Sequence, residues 1–452
     1  METMDRMGTT ERLAHFVATL DRSLIPQAVR HQAARCLVNW AACATGSGRH
    51  PAVGNALTAL RPFIGAAQAG ILGTDVRVDA LHAALLNGIS SHVQDFDDTH
   101  PATLVHPSGP VLSALLALAE IQPMDGKSFV DALICGIEVE CRIALGVSPE
   151  HYGAGWHITS TVGGFGAAAA AGRALKLDTL HLAWALSIAA TQASGVREMF
   201  GTMCKSLHPG MAAQHGLRAA MLAAAGFTSS TKGIEAPRGF AHVLSTQPHL
   251  EDSVEALGER WEILANSFKP YACGLVIHPV IDACLALHQQ PGFDLANIAE
   301  VMLDVHPLVL ELTGKTQPQT GLEGKFSVFH AAAAALIDGV GELPRSADAA
   351  VQDPATVSLR AKVRARVQDG LREDEARAAI LMRDGRRLEY HVAHALGSNE
   401  RPMSDRDLDA KFRSLVQEVL PEKQTRDALA LCWNIDALPD AAAVARTLML
   451  RH

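Results

Sequence analysis

The run IPQAVRHQAARCLVNWAACATGSG, residues 25–48, sets the reading of the whole chain. Its residues Val29, Ala33, Cys36, Leu37 and Trp40 recur at helical spacing. Pro26 suits a first turn, and the Gly46 to Gly48 stretch ends the run. Outward from it the same texture persists from Thr9 to about Ala265. Val78, Leu81, Leu85 and Ile89 make a second apolar face, followed by runs at Val111–Glu120 and Phe129–Leu145. Further helices are predicted over Val162–Leu175, Leu180–Ser194 and Pro209–Ala225.

The texture changes after Phe268. Ala299–Val305 alternates in polarity and closes on Pro307, which predicts a strand. Lys362–Val367 and Ala378–Met382 also read as strands, and Asp384-Gly385 turns the last of these into Leu388–Ala393 as a hairpin. Phe326–Asp338 is alanine-rich and helical. Ser404 is placed to cap a returning helix through Asp407 and Leu408. The fold class expected is mainly α, with an α+β unit inserted before the C-terminal helices.

Composition agrees with that outline. The 452 residues exceed one ordinary core, so two domains are expected. Aromatics are only 5% while alanine abounds, so helices must approach closely on small side chains. A net charge of −9 without a basic tract argues against nucleic acid as a partner. The 8 cysteines form no CxxC pair, which excludes a disulfide framework and a thiolate metal centre and fits a reducing, cytoplasmic compartment. The start METMDRMGTTERLAHF has no apolar core of a signal peptide, and apolar stretches such as Val111–Ile121 are too short to span a membrane.

The densest polar cluster is DFDDTHPATLVHPSG, residues 95–109, in a loop between two helical runs. Such a loop can carry function, yet Asp and Thr also cap helices and His-Pro-Ser-Gly is ordinary turn material. Its carboxylates and histidines lack metal-ligand spacing, so no metal is expected. YGAGWHITST, residues 152–161, puts His157 before a helix, where an anion is favoured; a capping Ser160 or Thr161 with a satisfied interior His157 is the plainer alternative. Gly163-Gly164-Phe165-Gly166 has no preceding strand and no third glycine, so tight helix packing accounts for it better than a nucleotide. Lys205 stands in a glycine-bounded loop, either as a carboxylate anchor or as a solvated lysine. Lys269 and Lys325 add cations in the second unit, with His278 and His330 nearby. No GxSxG elbow is present. What remains is histidine acid–base chemistry among lysines, suited to removing a proton beside a carboxylate.

The stretches DFDDTHPATLVHPSGPVL, GWHITSTVGGFGAAAAAG, MFGTMCKSLHPGMAAQHG, KPYACGLVIHP and TGLEGKFS resemble the MmgE/PrpD family and run in family order. That family includes 2-methylcitrate dehydratase, cis-aconitate decarboxylase and iminodisuccinate epimerase. The resemblance implies a large helical domain (1–267 and 403–452), an α+β lid (268–402), a homodimer, and an active site between domains without metal or organic cofactor. It implies a small polycarboxylate as substrate. Carried over by motif, the catalytic positions are Asp95, Thr99, His106, His157 and Lys205, with Lys269, Lys325 and His330 as substrate-binding residues. Chemistry assigns His106 and His157 as the acid–base pair, Lys205 as the carboxylate anchor, and Asp95 and Thr99 as orienting groups. A dehydratase is the leading expectation; a decarboxylase, an epimerase and a non-catalytic carboxylate-binding protein are the alternatives. Two departures stand out. Leu104-Val105 separates Thr103 from His106 where relatives read HPATHPSG, and His330 takes the place of a tyrosine, exchanging a phenol for an imidazole that titrates near neutral pH.

Overall fold

In the computed structural model, which describes residues 7–339 and 348–451, the helix Gln27–Gly46 runs through the interior. Val29, Ala33, Cys36, Leu37 and Trp40 are all fully buried along it. The first six residues of the stretch METMDRMGTTERLAHF lie outside the described residues. The helix Ile158–Ala174 is buried on every side from Ile158 to Gly172, as expected of a helix apolar all round. It packs between Gly126–Leu145 and Met203–Ala224. Small residues make this possible: a Cβ on Gly216 would stand 2.5 Å from the Gly164 carbonyl oxygen, and one on Gly136 would stand 2.8 Å from that of Gly166. The glycines at 163–166 therefore serve helix packing.

The helix predicted from Pro209 begins six residues earlier, at Met203. Thr202 caps it by accepting from the Cys204 amide, and Pro209 sits inside it, where its missing N–H makes no bond to the preceding turn. Lys205 is thus on a first helical turn and not in a loop. The helical part also carries a two-stranded antiparallel ribbon, Ala69–Gly70 with Arg77–Val78. These two-residue pieces are too short to show any period in sequence, so the expectation of an all-helical domain is corrected to that extent.

The second unit is built on a four-stranded sheet in the order Val363–Val367, Ile298–Val305, Ala376–Met382, Arg387–Val392. The first pair is parallel and the others antiparallel. The hairpin forms where the sequence places it, with Gly385 at φ 88° in the turn. Val301, Leu303, Val305 and Ile380 face a core shared with the helices His278–His288 and Val328–Asp338. The main core holds residues from Leu13 to Phe268 together with Met403 to Leu448. The C-terminal helix Asp405–Val416, opened by a Ser404–Asp407 capping box, packs on Gln27–Gly46. Among the described residues no helix is long and apolar enough to cross a membrane.

Candidate active site

The helix Ala80–His92 delivers the chain into the polar loop. Asp95 and Leu104 both adopt left-handed backbone, at φ 52° and 61°. His100 N–H donates to the Val105 carbonyl at 2.8 Å, closing a turn over Leu104 that brings Thr99 Oγ1 to 3.2 Å from His106 Nδ1. The Leu104-Val105 pair is therefore taken up in a tight turn that leaves His106 beside Thr99. Thr99 and Ser267 exchange backbone hydrogen bonds of 2.9 and 2.8 Å, which staples the loop to the segment carrying Lys269. Asp98 accepts from Ser108 Oγ at 2.5 Å and from Asn266 Nδ2, so it is structural; burial pushes its carboxyl up to about 6.

The buried Asp95 carboxylate meets two ammonium groups. Lys205 Nζ lies 2.6 Å and Lys269 Nζ 3.3 Å from Asp95 Oδ1. Burial alone would raise its carboxyl, but Lys205 and Lys269 hold it well below the usual range. Both ammonium groups line the cavity, where they can meet an anionic ligand, while Asp97 lies behind them on His92. Lys205 is buried, with the Phe200 and Phe326 rings each 5.2 Å away, so the solvated alternative is set aside.

The histidines are equally enclosed. His106 Nδ1 is 2.9 Å from the Asp98 carbonyl oxygen, which can only accept. The proton therefore sits on Nδ1, leaving Nε2 as the basic nitrogen. His157 precedes Ile158–Ala174, and its Nδ1 is 2.8 Å from His208 Nδ1, so one of the two rings donates and the other accepts. Burial pushes His106 down to about 3, and burial with the Lys205 charge holds His157 well below the ordinary histidine value. Both are therefore neutral at physiological pH, with a ring nitrogen free to act as a base.

Asp95, Thr99, His106, His157, Lys205 and Lys269 line one cavity, of about 480 Å³ counting its mouth. Its other wall is largely apolar, with Leu275, Val276 and Leu312 from the second unit and Leu104, Tyr152 and Phe200 from the first. Lys325 and His330 do not line it. Lys325 donates to the Ala272 carbonyl at 2.9 Å from behind, while its neighbour Phe326 faces the cavity. His330 is buried in the first turn of Val328–Asp338, with its ring against Gly324.

The sequence reading passed over His92, Asp97, His208 and Lys411. His92 Nδ1 is 2.7 Å from Asp97 Oδ2, and its Nε2 is 3.0 Å from Lys205 Nζ. Lys411, from the C-terminal helix, donates to Asn39 Oδ1, Phe96 O and Lys269 O at 2.7, 2.6 and 2.9 Å. The one available signal was a histidine closing an apolar helix three residues before the first aspartate. Among the described residues, His92, His106 and His157 offer ring nitrogens within 4.8 Å of one another, a spacing that could gather around a metal ion. Asp95 and Asp97 offer carboxylate oxygens beside His92 at the same spacing, but the Lys205 ammonium already takes His92 Nε2 and Asp95 Oδ1.

With this geometry in hand, the comparisons with known proteins are specific. Residues 11–253 match the MmgE/PrpD N-terminal domain, and residues 271–435 match the MmgE/PrpD C-terminal domain. A human cis-aconitate decarboxylase is 29% identical over 386 residues, covering 82% of this chain and 79% of the relative. A mouse cis-aconitate decarboxylase is 28% identical over 395 residues. One from Aspergillus terreus is 26% identical over 464 residues, covering 96% of this chain and 94% of its own. With family matches spanning both units and the site between them, the chain belongs to the MmgE/PrpD family.

Proposed function

We propose that the protein is a cofactor-independent lyase of the dehydratase type, acting on a small di- or tricarboxylic acid such as 2-methylcitrate. One observation carries the reading: two lysines converge on Asp95 in a cavity that also holds two neutral imidazoles. Lys205 and Lys269 hold a substrate carboxylate and stabilise charge that moves onto it. His106 Nε2 takes the proton from the adjacent carbon. The C–H electrons form the new double bond as the C–O bond breaks, and His157, which the charge of the bound polycarboxylate raises into its imidazolium form, gives a proton to the departing hydroxyl, which leaves as water. Asp95 and Thr99 orient Lys205 and His106. The expected assembly is a homodimer.

A second reading has its own support in the names of the relatives. In a cis-aconitate decarboxylase the same lysines would stabilise the electrons left by departing carbon dioxide, and an imidazolium would protonate that carbon. Epimerisation of an amino- or iminodicarboxylate would return the proton to the opposite face. Incubation with a panel of di- and tricarboxylates in heavy water, followed by NMR, separates the three. Loss of water supports the dehydratase, loss of carbon dioxide the decarboxylase, and deuterium uptake without net loss the epimerase. Binding without exchange or conversion for every panel member refutes all three in favour of a carboxylate-binding protein.

A further inference from the structure

We infer that His92 is a positioning residue for Lys205, held by Asp97 in the one tautomer that can accept a hydrogen bond from the ammonium. The inference rests on the reading of Lys205 as the carboxylate anchor. Asp97 is fully buried, and its Oδ2 is 2.7 Å from His92 Nδ1. An ionised carboxylate only accepts, so the imidazole proton sits on Nδ1 and the lone pair on Nε2. That lone pair faces Lys205 Nζ at 3.0 Å. In the other tautomer an N–H would point at the ammonium and repel it.

The consequence is a count of donors. An ammonium has three N–H groups. Lys205 places one on Asp95 Oδ1 at 2.6 Å and one on His92 Nε2 at 3.0 Å. The third is left for the cavity that Lys205 lines. With two donors fixed by buried acceptors, the third has a set direction before any ligand arrives, which lowers the ordering cost of binding. His92 is itself buried and does not line the cavity, so it acts through Lys205. Its ring also meets His106 edge-on at 4.7 Å, which makes it the packing support of the proposed base as well.

Two substitutions separate hydrogen bonding from packing. A glutamine amide reaches the place of Nε2 and can offer its oxygen to Lys205, whereas an asparagine amide stops near Nδ1 and reaches only Asp97. Tricarballylate, an unreactive tricarboxylate, serves as the probe, with its Kd measured by calorimetry on the full chain. The expected result is binding weakened about tenfold or more in His92→Asn and within about threefold of wild type in His92→Gln, the difference tracking one hydrogen bond to a charged group. Equal weakening in both variants, or wild-type affinity in a folded His92→Asn, overturns the assignment. Wild-type affinity in Lys205→Ala, or no binding of tricarballylate by the wild type, overturns the carboxylate-anchor reading itself. A normal Kd for His92→Asn beside a weakened Lys205→Ala removes only the role given to His92.

Discussion

Glu140 lies wholly buried in the helix Gly126–Leu145, and among the described residues neither of its carboxyl oxygens has a hydrogen-bond partner. Burial, with the Asp98 charge adding to it, pushes its carboxyl well above the ordinary 4.5. The folded protein therefore keeps a proton that the unfolded chain releases. Below pH 4.5 both states hold the proton and Glu140 has no effect on the pH dependence. Above it the native state binds more protons, so stability falls by about 1.4 kcal/mol for each pH unit until the raised folded value is reached. Glu140→Gln keeps nearly the same shape and removes the titration. Stability of the variant relative to wild type should thus grow by about 1.4 kcal/mol per unit as pH rises through roughly 5.5 to 6.5. Denaturant unfolding of both proteins at matched pH, followed by tryptophan fluorescence, measures the difference, and effects of other groups cancel. A difference that stays constant with pH refutes the argument, because it would mean that Glu140 is ionised in the folded state.

His106→Ala and His157→Ala should each lower turnover by roughly a hundredfold or more while moving the melting temperature little; unfolding of both variants would return them to a purely structural role. Because His106 is pushed down to about 3, its neutral form survives mild acid. No loss of kcat/KM with a midpoint near 6.5 should therefore trace to it, and such a limb vanishing in the His106 variant would contradict this. Activity should survive dialysis against a strong chelator, and loss restored by zinc, magnesium or iron would count against cofactor independence. Lys411→Met strands the acceptors Asn39 Oδ1, Phe96 O and Lys269 O, so it should cost about 3 kcal/mol, seen as a lower denaturant midpoint. An unshifted midpoint would show that these contacts are dispensable.

The fold was legible wherever periodicity ran long. Ile298–Val305 and Ala376–Met382 begin within two residues of the predicted strands, because alternation and the closing turns fix them locally. The ribbon at residues 69–78 and the early start at Met203 were not legible, since one is too short for a pattern and Pro209 masks the other. In the site, the polar loop and the His157 island announced themselves by composition. His92 and Lys411 did not, because Lys205 lies 113 residues from His92 and the partners of Lys411 up to 372 residues away. Lys325 stands in a matching motif and His330 just after one, yet neither lines the cavity, where the chain places Phe326.

The reach of Lys411 bears on how the molecule comes into being. Its ammonium joins Phe96, which is 315 residues earlier in the chain, to Lys269. A ribosome makes the loop, the histidines and both cavity lysines well before it makes the helix that pins them. During synthesis these charged groups must wait without their last tie, and contacts so distant in sequence form late and slowly. Competence therefore waits for Lys411, whose helix must pack back on Gln27–Gly46 after the loop and both cavity lysines have been made. The order of synthesis is in this sense written into the site by one buried ammonium.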